Sequence, residues 1–285
     1  METYDNRPIG VFDSGLGGLT AVTYMTELLP YENFVYFGDT ARTPYGSKSI
    51  ETIKVFSSQI SDFLVEKGAK MIVIACNTVS ATCLDFLKKR HPRIPIIGMI
   101  GPAAREVSEL YGKTHNIGVI GTKVTIESGQ YEEAIRKFNG KCNVKSKACP
   151  LFVPTIEEGI EEPYILEPII KYYLDDFIKN NRIDTLVLGC THYPLIEGEI
   201  KRIYPKLAIV NPSKTVAEEV KRYLFNNNML SLEKDDKSLF FASDLSEKFM
   251  DMTKVILSGK SMSIKEKKFG CSHNTEFQKE EVLSI

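Results

Sequence analysis

The sequence predicts an α/β fold with two pseudo-symmetric doubly wound domains, each built around a mainly parallel sheet, and a functional site in the cleft between them. Residues 71–82 (MIVIACNTVSAT) and 185–194 (TLVLGCTHYP) each run from uninterrupted apolar residues into a Cys that polar side chains follow. Apolar runs of this length are typical of strands covered on both faces, as in parallel sheets. Cys76 and Cys190 are therefore expected at the carboxyl ends of two strands, where open α/β sheets bind ligands.

Strand and helix patterns alternate through the first hundred residues. Apolar runs at residues 8–12, 33–37, 71–75 and 94–100 predict four strands, and residues 49–68 between the second and third have the spacing of an amphipathic helix. Alternation of this kind is typical of a parallel sheet with helices on both faces. The first hundred residues therefore predict one doubly wound unit.

The same pattern restarts further along the chain. The tripeptide Ile-Gly-Val recurs from residue 9 to residue 117, an offset of 108 residues, and the two cysteines at 76 and 190 are 114 residues apart. Chance repetition of one tripeptide would mean little, but two separate pairs with similar offsets indicate a duplicated half. The chain is therefore predicted to contain two related α/β units.

The repeat predicts the domain boundaries. A second domain is expected over residues 101–210. The strand and helix patterns between residues 239 and 257 have no counterpart in the first half, so the first domain is expected to be discontinuous, residues 1–100 plus 211–258. Residues 259–285 are polar and charged and are predicted to be a weakly ordered tail.

Composition excludes several classes of partner. The 285 residues carry 36 basic and 37 acidic side chains, a net charge of −1, without the basic excess of a nucleic-acid-binding protein. The amino terminus has no apolar signal region, and no apolar run approaches the length that spans a membrane. Six scattered cysteines without a CxxC pair are expected as reduced thiols in a cytoplasmic protein. A small molecule is the expected partner.

Two polar loops follow the first two predicted strands. Asp13 and Ser14 precede three glycines in a strand–turn–helix pattern, whose backbone amides can hold an anion such as a carboxylate. A turn needed only for close strand–helix packing is the alternative. Residues 38–46 (GDTARTPYG) supply a carboxylate, a guanidinium and a phenol, although a plain surface loop would need no further explanation.

The two strand-end thiols suggest proton transfer. A lone Cys is most often a small buried hydrophobe, but two in matching settings favour a role in chemistry. Thiols facing each other across a cleft suit removal of a proton from one face of a carbon and return of a proton to the other. A thiol with an ordinary pKa of about 8.5 needs a charged neighbour to ionise near neutrality. His192 is the candidate neighbour of Cys190, and Asp13 that of Cys76.

The carbon acid must be activated by the protein, because the sequence contains no cofactor motif and no metal-ligand pattern. Neither a cofactor nor a metal is therefore predicted. Hydrogen bonds to a substrate carboxylate that strengthen as charge develops would supply the stabilisation. The candidate donors are Ser14, Asn77, Thr78, Thr191 and nearby backbone amides.

Four motifs resemble those of the glutamate racemases, in the cofactor-independent aspartate/glutamate racemase superfamily. The matching segments are IGVFDSGLGGL (residues 9–19), GDTARTPYG (38–46), ACNT (75–78) and GCTHYP (189–194). The resemblance extends from about residue 8 to residue 257. It implies interconversion of L- and D-glutamate by proton transfer at the α-carbon, supplying D-glutamate for peptidoglycan, cell-wall biogenesis and cell shape. The family commonly forms dimers with varying interfaces, so a homodimer is a candidate, and the sequence alone leaves the oligomeric state open.

The resemblance also implies roles for single residues. Cys76 and Cys190 match the two acid/base thiols of the family, and Asp13 and His192 match the residues that assist them. Asp39 and Glu157 are carried over as electrostatic helpers, although an acidic pair at 157 and 158 can also simply begin a helix. The residues that match substrate contacts are Asp13, Ser14, Tyr45, Gly46, Asn77, Thr78, Thr191 and His192.

Other functions stay open at this stage. Aspartate racemases and related two-thiol racemases or decarboxylases are the nearest alternative, because one methylene changes binding only slightly. Acyl transfer through Cys190 with His192 as base would need one thiol and leave the other idle. An amino-acid-binding protein with a two-domain cleft would need neither thiol.

Overall fold

The computed structural model describes residues 4–110, 116–233, 237–257, 262–269 and 280–283. Its strands are β1 (Ile9–Asp13), β2 (Phe34–Gly38), β3 (Met71–Ile74), β4 (Ile96–Gly98), β5 (Asn116–Gly121), β6 (Asn143–Ala148), β7 (Thr185–Gly189), β8 (Ala208–Val210), β9 (Leu239–Ala242), β10 (Met262–Glu266) and β11 (Glu280–Leu283). Its helices are α1 (Leu19–Leu28), α2 (Ile50–Glu66), α3 (Asn77–Arg90), α4 (Ile100–Leu110), α5 (Lys123–Glu127), α6 (Gln130–Phe138), α7 (Phe152–Glu157), α8 (Pro163–Asn181), α9 (Glu197–Ile203), α10 (Pro212–Asn226) and α11 (Glu247–Leu257).

The strands form two sheets with a shared topology. The first has the order β11-β10-β9-β2-β1-β3-β4 and the second the order β6-β5-β7-β8. All neighbouring strands are parallel except β10 and β11. The order β2-β1-β3-β4 in the first sheet is repeated as β6-β5-β7-β8 in the second. The predicted α/β class, with two related and mainly parallel sheets, is confirmed.

The central strands are apolar throughout because both of their faces are covered. Along β3, Met71 and Val73 belong to one core cluster, whereas Ile72 and Ile74 belong to the cluster on the other face. All four side chains are fully buried. Successive residues of a strand point to opposite faces, so a strand between two helix layers has no position for a solvated side chain. This arrangement explains the uninterrupted apolar run in the sequence.

The second sheet contains a strand that the sequence pattern did not reveal. Strand β6 (NVKSKA) lies at the edge of its sheet and pairs in parallel with β5. Only Val144 in β6 is buried. A polar edge strand lacks the apolar run used to predict strands, and charged side chains on an edge discourage pairing with other molecules.

The prediction of a weakly ordered tail is wrong for residues 262–266. These residues form β10, which pairs in parallel with β9, and Ile264 is 1% exposed. Phe269 then packs its ring against Phe37 and Phe63, with centroids 5.1 and 6.2 Å apart. One buried apolar side chain among charged neighbours is enough to form a strand here, because the adjacent strand β9 supplies the backbone hydrogen bonds. A short, mostly polar segment gives little sign of this in its own sequence.

Each sheet takes its strands from a different part of the chain. Residues 9–98 and 239–283 contribute the strands of the first sheet, and residues 116–210 those of the second. Helix α10 packs against both α1 and α4. The division into two domains at residues 100, 210 and 258 stays a prediction.

Within the described ranges, no helix combines the length and the apolar character needed to cross a membrane.

A buried ion pair holds together the amino-terminal ends of the strands. Lys70 and Glu32 lie just before β3 and β2, with Nζ 2.6 Å from Oε2 and both side chains almost fully buried. Lys70 also donates to the carbonyl oxygens of Asp5 and Met229 at 2.6 and 2.7 Å. Glu32 Oε1 accepts from the backbone N–H of Ser231 at 2.8 Å. The pair therefore ties the amino-terminal segment and the α10–β9 connection to the sheet.

Substitution of Lys70 by Met is expected to destabilise the fold. It would leave the Glu32 carboxylate buried without its cation, and breaking a buried pair in this way costs about 3–5 kcal/mol. Urea unfolding followed by circular dichroism would measure the loss. Lys54→Met is the control, because Lys54 pairs with the exposed Glu51 and such pairs contribute little. Equal stability of the two variants would contradict a stabilising role for the buried pair.

Candidate active site

The carboxyl ends of the central strands of both sheets open into one pocket. The pocket has about 320 Å³ of empty space, including its mouth. Both predicted thiols line it, one from each half of the chain. The lining residues are Ser14, Thr43, Pro44, Tyr45, Gly46, Cys76, Asn77, Thr78, Thr122, Val153, Cys190, Thr191 and His192.

Cys76 lies between β3 and α3 and is the N-cap residue of that helix. Its side chain is almost fully buried, and Sγ lies 3.5 Å from Oγ of Ser14. Burial, together with the negative charge of Asp13, raises the pKa of Cys76 to about 12, against the opposing contact with Ser14. Cys76 is therefore a protonated thiol at neutral pH.

Asp13 stands behind the pocket wall at the end of β1. Its Oδ2 accepts hydrogen bonds from the backbone N–H groups of Gly15 and Gly18 at 3.3 and 3.0 Å. A Cβ at position 18 would lie 2.6 Å from Cβ of Asp13, so this position of the loop has to be glycine. Burial raises the pKa of Asp13, and the charge of His192 is the main opposing influence. A buried carboxyl group thus lies next to the Cys76 thiol.

Cys190 has a different neighbour. It follows β7, and its Sγ lies 3.8 Å from Nδ1 of His192. Nε2 of the same ring lies 3.2 Å from Oε1 of Glu157, at the end of α7. Burial alone would lower the pKa of His192, but contacts with Cys190 and Glu157 outweigh it and raise this pKa to about 10. His192 is therefore a cation at neutral pH, held between a thiol and a carboxylate.

The two thiols consequently have opposite electrostatic settings. Cys76 has a carboxyl neighbour and a raised pKa, which favours the protonated form. Cys190 has a cationic neighbour, which is the setting that stabilises a thiolate. The two thiols of one pocket therefore differ in the ionisable group that lies beside each of them.

Hydroxyl and amide groups join the two halves beside the thiols. Thr78 Oγ1 lies 3.1 Å from Oγ1 of Thr122 and 3.2 Å from Oγ1 of Thr125. The hydroxyl of Tyr131 donates to Oδ1 of Asn77 at 2.5 Å. Nδ2 of Asn77 is buried and has no hydrogen-bond partner among the residues that the structure describes. A residue that lines the pocket directly after Cys76 therefore has an N–H donor without a partner in the described part of the chain.

Asp39 does not line the pocket but holds a residue that does. Its Oδ2 accepts a hydrogen bond from the hydroxyl of Tyr45 and lies 2.7 Å from Nε of Arg42. Its Oδ1 accepts from the hydroxyl of Ser243 at 2.8 Å. Burial is the largest cause of the strongly raised pKa of Tyr45, and Asp39 adds to it. Tyr45 thus keeps its proton, and Asp39 fixes the direction of the phenol.

The structure brings all the predicted site residues together around one pocket. Nine of them line it, and Asp13, Asp39 and Glu157 lie behind the lining, each in contact with or close to a lining residue. Four lining residues were not predicted: Thr43, Pro44, Thr122 and Val153. Thr122 had a signal in the sequence, because the 108-residue offset relates it to Ser14. The roles of all these residues stay predictions.

The thiols of this pocket are available for chemistry. The five cysteines in the described part of the chain, including both in the pocket, are free. Among the described residues, no group of three or more His, Cys, Asp and Glu side chains is arranged to hold a metal ion. The fold and the site together define a two-unit α/β protein with paired thiols in a central cleft.

Comparison with known proteins identifies the family. The model of the Asp/Glu/hydantoin racemase family matches residues 25–220, well over half of the chain. The chain belongs to this family. The glutamate racemase of Aquifex aeolicus is 43% identical over 249 residues, which are 87% of this chain and 93% of that protein. The chain is accordingly an amino-acid racemase, which is an isomerase.

Solved structures agree with this assignment. The glutamate racemase of Francisella tularensis, determined in complex with D-glutamate, is 40% identical with a TM-score of 0.84 over 89% of this chain and 94% of that one. A glutamate racemase of Bacillus anthracis is 35% identical, also with a TM-score of 0.84, over 90% of this chain and 95% of that one. The similarity therefore spans both sheets and the cleft between them.

Proposed function

We propose that the chain interconverts L- and D-glutamate without a cofactor, using Cys76 and Cys190 as the two acid–base groups. The observation that carries the proposal is one pocket lined by two thiols with opposite electrostatic settings. Similarity over most of the chain to glutamate racemases, one of them solved with D-glutamate, supports glutamate as the substrate.

The proposed reaction moves one proton at each thiol. For one enantiomer, the Cys190 thiolate removes the α-proton and becomes a thiol. The Cys76 thiol then gives its proton to the opposite face of the carbon and becomes a thiolate. The product is the other enantiomer, and the protein is left in the form that reacts with it. Charges balance in both directions, because one thiol and one thiolate are present before and after each turnover.

The neighbours of the thiols assist each transfer. The His192 cation stabilises the Cys190 thiolate and is itself held by Glu157. On the other side, the buried Asp13 carboxyl lies close enough to Cys76 to influence its protonation. As the α-proton leaves, negative charge moves onto the substrate carboxylate. Donors already in place in a site closed to water stabilise that charge most strongly.

Several lining groups can serve as these donors. Nδ2 of Asn77 is buried without a partner, and the hydroxyls of Ser14, Thr78 and Thr191 line the same pocket. A substrate carboxylate accepting from Nδ2 would pair an N–H group that has no partner among the described residues. This match supports an amino-acid substrate, and the similarity to glutamate racemases supports glutamate over aspartate.

The cellular role follows from the resemblance to the family. We propose that the chain works in the cytoplasm, as a homodimer, and supplies D-glutamate for peptidoglycan and hence for cell-wall biogenesis and cell shape. A cell that lacks it and has no other source of D-glutamate is then expected to need D-glutamate for growth. Normal growth of a deletion strain without D-glutamate, and without another racemase activity in its extract, would contradict this role.

Incubation with L-glutamate in heavy water tests the reaction directly. Optical rotation is expected to decay to zero while deuterium appears at the α-carbon, without added pyridoxal phosphate or metal. Ser in place of either Cys76 or Cys190 is expected to slow racemisation by at least roughly a hundredfold, because positioned acid–base groups contribute about 10² to 10⁴. Proton NMR and polarimetry on the same samples would measure both rates.

Two comparisons make this test specific. Cys142→Ala removes a buried thiol of the second unit that does not line the pocket, and it is expected to keep wild-type activity. Aspartate in place of glutamate tests the substrate. Full activity in either Ser variant would rule out the two-thiol mechanism. Binding of glutamate by wild-type protein without loss of rotation or of the α-proton would favour a binding protein.

The pH dependence of the rate tests the role of Glu157. Because the Glu157 carboxylate helps to raise the pKa of His192 to about 10, Glu157→Gln should lower that pKa. The rate needs the His192 cation, so it falls as pH rises through this pKa. The alkaline limb of kcat/KM is therefore expected to move to lower pH, by about one unit or more for a lost opposite charge.

Glu158→Gln is the matched control for this measurement. Glu158 is the next residue in the chain and is exposed, whereas Glu157 contacts the histidine. Its substitution is expected to leave the alkaline limb in place. An unchanged limb in Glu157→Gln, or equal shifts in both variants, would show that Glu157 does not act through His192.

A further inference from the structure

Tyr131 lies outside the pocket lining, yet its hydroxyl contacts a residue that forms part of it. The side chain of Tyr131, in α6, is 2% exposed, and its hydroxyl lies 2.5 Å from Oδ1 of Asn77. Asn77 is 3% exposed and lines the pocket directly after Cys76. Its Nδ2 is buried without a hydrogen-bond partner among the described residues. One end of this amide is therefore held, and the other is left for a ligand.

The two ends of an amide have nearly the same shape but opposite hydrogen-bonding character. If the Asn77 side chain turned over, it would present a carbonyl oxygen to the pocket, and that oxygen would repel a substrate carboxylate. A phenol is a better donor than acceptor, so it selects the carbonyl end of an amide. Burial is the main cause of the raised pKa of Tyr131, which keeps its proton and remains a donor. The phenol thus determines which end faces the substrate.

We propose that Tyr131 is a positioning residue that fixes the amide of Asn77 with Nδ2 directed at the carboxylate of the substrate. The inference rests on the proposed racemase reaction and extends it to a residue that does not touch the substrate. Tyr131 acts through Asn77 alone. It keeps a donor in place where negative charge develops, so the amide does not have to reorient during the reaction.

Tyr131 is well placed for this task because it connects the two halves of the site. Asn77 begins α3 in the unit that carries Cys76, whereas Tyr131 lies in α6 of the unit that carries Cys190. A Cβ at Gly189, the last residue of β7, would lie 3.2 Å from Cε2 of Tyr131, so the ring rests against the end of that strand. The amide is therefore held only when both units are in their present arrangement.

Tyr131→Phe tests the proposal, because it removes the hydroxyl and keeps the ring. Without its partner, the Asn77 amide can adopt both orientations. We expect kcat/KM for glutamate to fall about tenfold, the effect of losing one well-placed hydrogen bond, with a rise in KM. A mere loss of folded protein would lower the maximal rate at unchanged KM. Initial rates over a range of glutamate concentrations would separate the two effects.

A double-mutant cycle with Asn77→Ala shows whether Tyr131 acts through the amide. In the Asn77→Ala background, Tyr131→Phe is expected to change kcat/KM by less than about twofold, because coupled residues are not additive. If Asn77→Ala is too slow for rate measurements, calorimetric binding of D-glutamate serves the same cycle. A tenfold loss that persists without Asn77, or no loss in Tyr131→Phe alone, would overturn the proposal.

Tyr204→Phe is the control for the loss of a phenolic hydrogen bond in the same unit. The Tyr204 hydroxyl donates to Oδ1 of Asp175 at 2.6 Å, away from the pocket, and its loss is expected to leave KM and kcat unchanged. Wild-type protein that does not racemise glutamate would refute the proposed function itself. Active wild-type protein with an unaffected Tyr131→Phe variant would refute only the role of Tyr131.

Discussion

Parallel pairing of the central strands is the constraint on which the site depends. In the first sheet, Phe12 of β1 is aligned with Ile74 of β3. Two residues further along each segment, Ser14 and Cys76 therefore lie side by side. In the second sheet, Gly121 is aligned with Gly189, and the next residues, Thr122 and Cys190, are neighbours in the same way. Parallel strands end at the same edge, and both sheets direct this edge at the cleft. The contact between the Cys76 thiol and the Ser14 hydroxyl is therefore a consequence of strand register, and the same register places Thr122 and Cys190 after aligned strand ends in the second half.

The chemistry depends on two positions where the halves differ. At the 108-residue offset, Asp13 corresponds to Gly121, so only the first half has a carboxyl group there. At the 114-residue offset, Thr78 corresponds to His192, so only the second half has an imidazole. Each thiol consequently has one ionisable neighbour, with opposite charge in the two halves. In the proposed mechanism, this difference between two otherwise similar halves gives one thiol the role of acid and the other the role of base. Because proton transfer exchanges these roles, the same site can serve both enantiomers in the proposed mechanism.

The sequence predicts those parts of the fold and site that depend on neighbours along the chain. Buried parallel strands leave continuous apolar runs, and the residues that follow them, such as Cys76 and Cys190, are located with the strand ends. Mostly polar strands are different: β6, at an edge, and β10, between β9 and β11, are defined by the strands beside them. Contacts between distant residues are also hidden: Tyr131 and Asn77 are 54 residues apart and lie in different units. A buried tyrosine in a helix has no local feature that distinguishes a positioning role from ordinary packing.

A buried polar atom without a hydrogen-bond partner lies beside the thiols, which is unusual in a protein interior. Native proteins pair nearly all buried polar groups, because an unpaired one costs about 1–3 kcal/mol. Directly after Cys76, Nδ2 of Asn77 is buried without a hydrogen-bond partner among the described residues. An amino acid carries an ammonium donor and a carboxylate acceptor on the carbon that the proposed reaction inverts. Asn77 lines the pocket, so the carboxylate of a bound amino acid can accept a hydrogen bond from this donor. In the proposed mechanism, the hydroxyl of Tyr131 matters because it holds the other end of the Asn77 amide and keeps Nδ2 for the substrate.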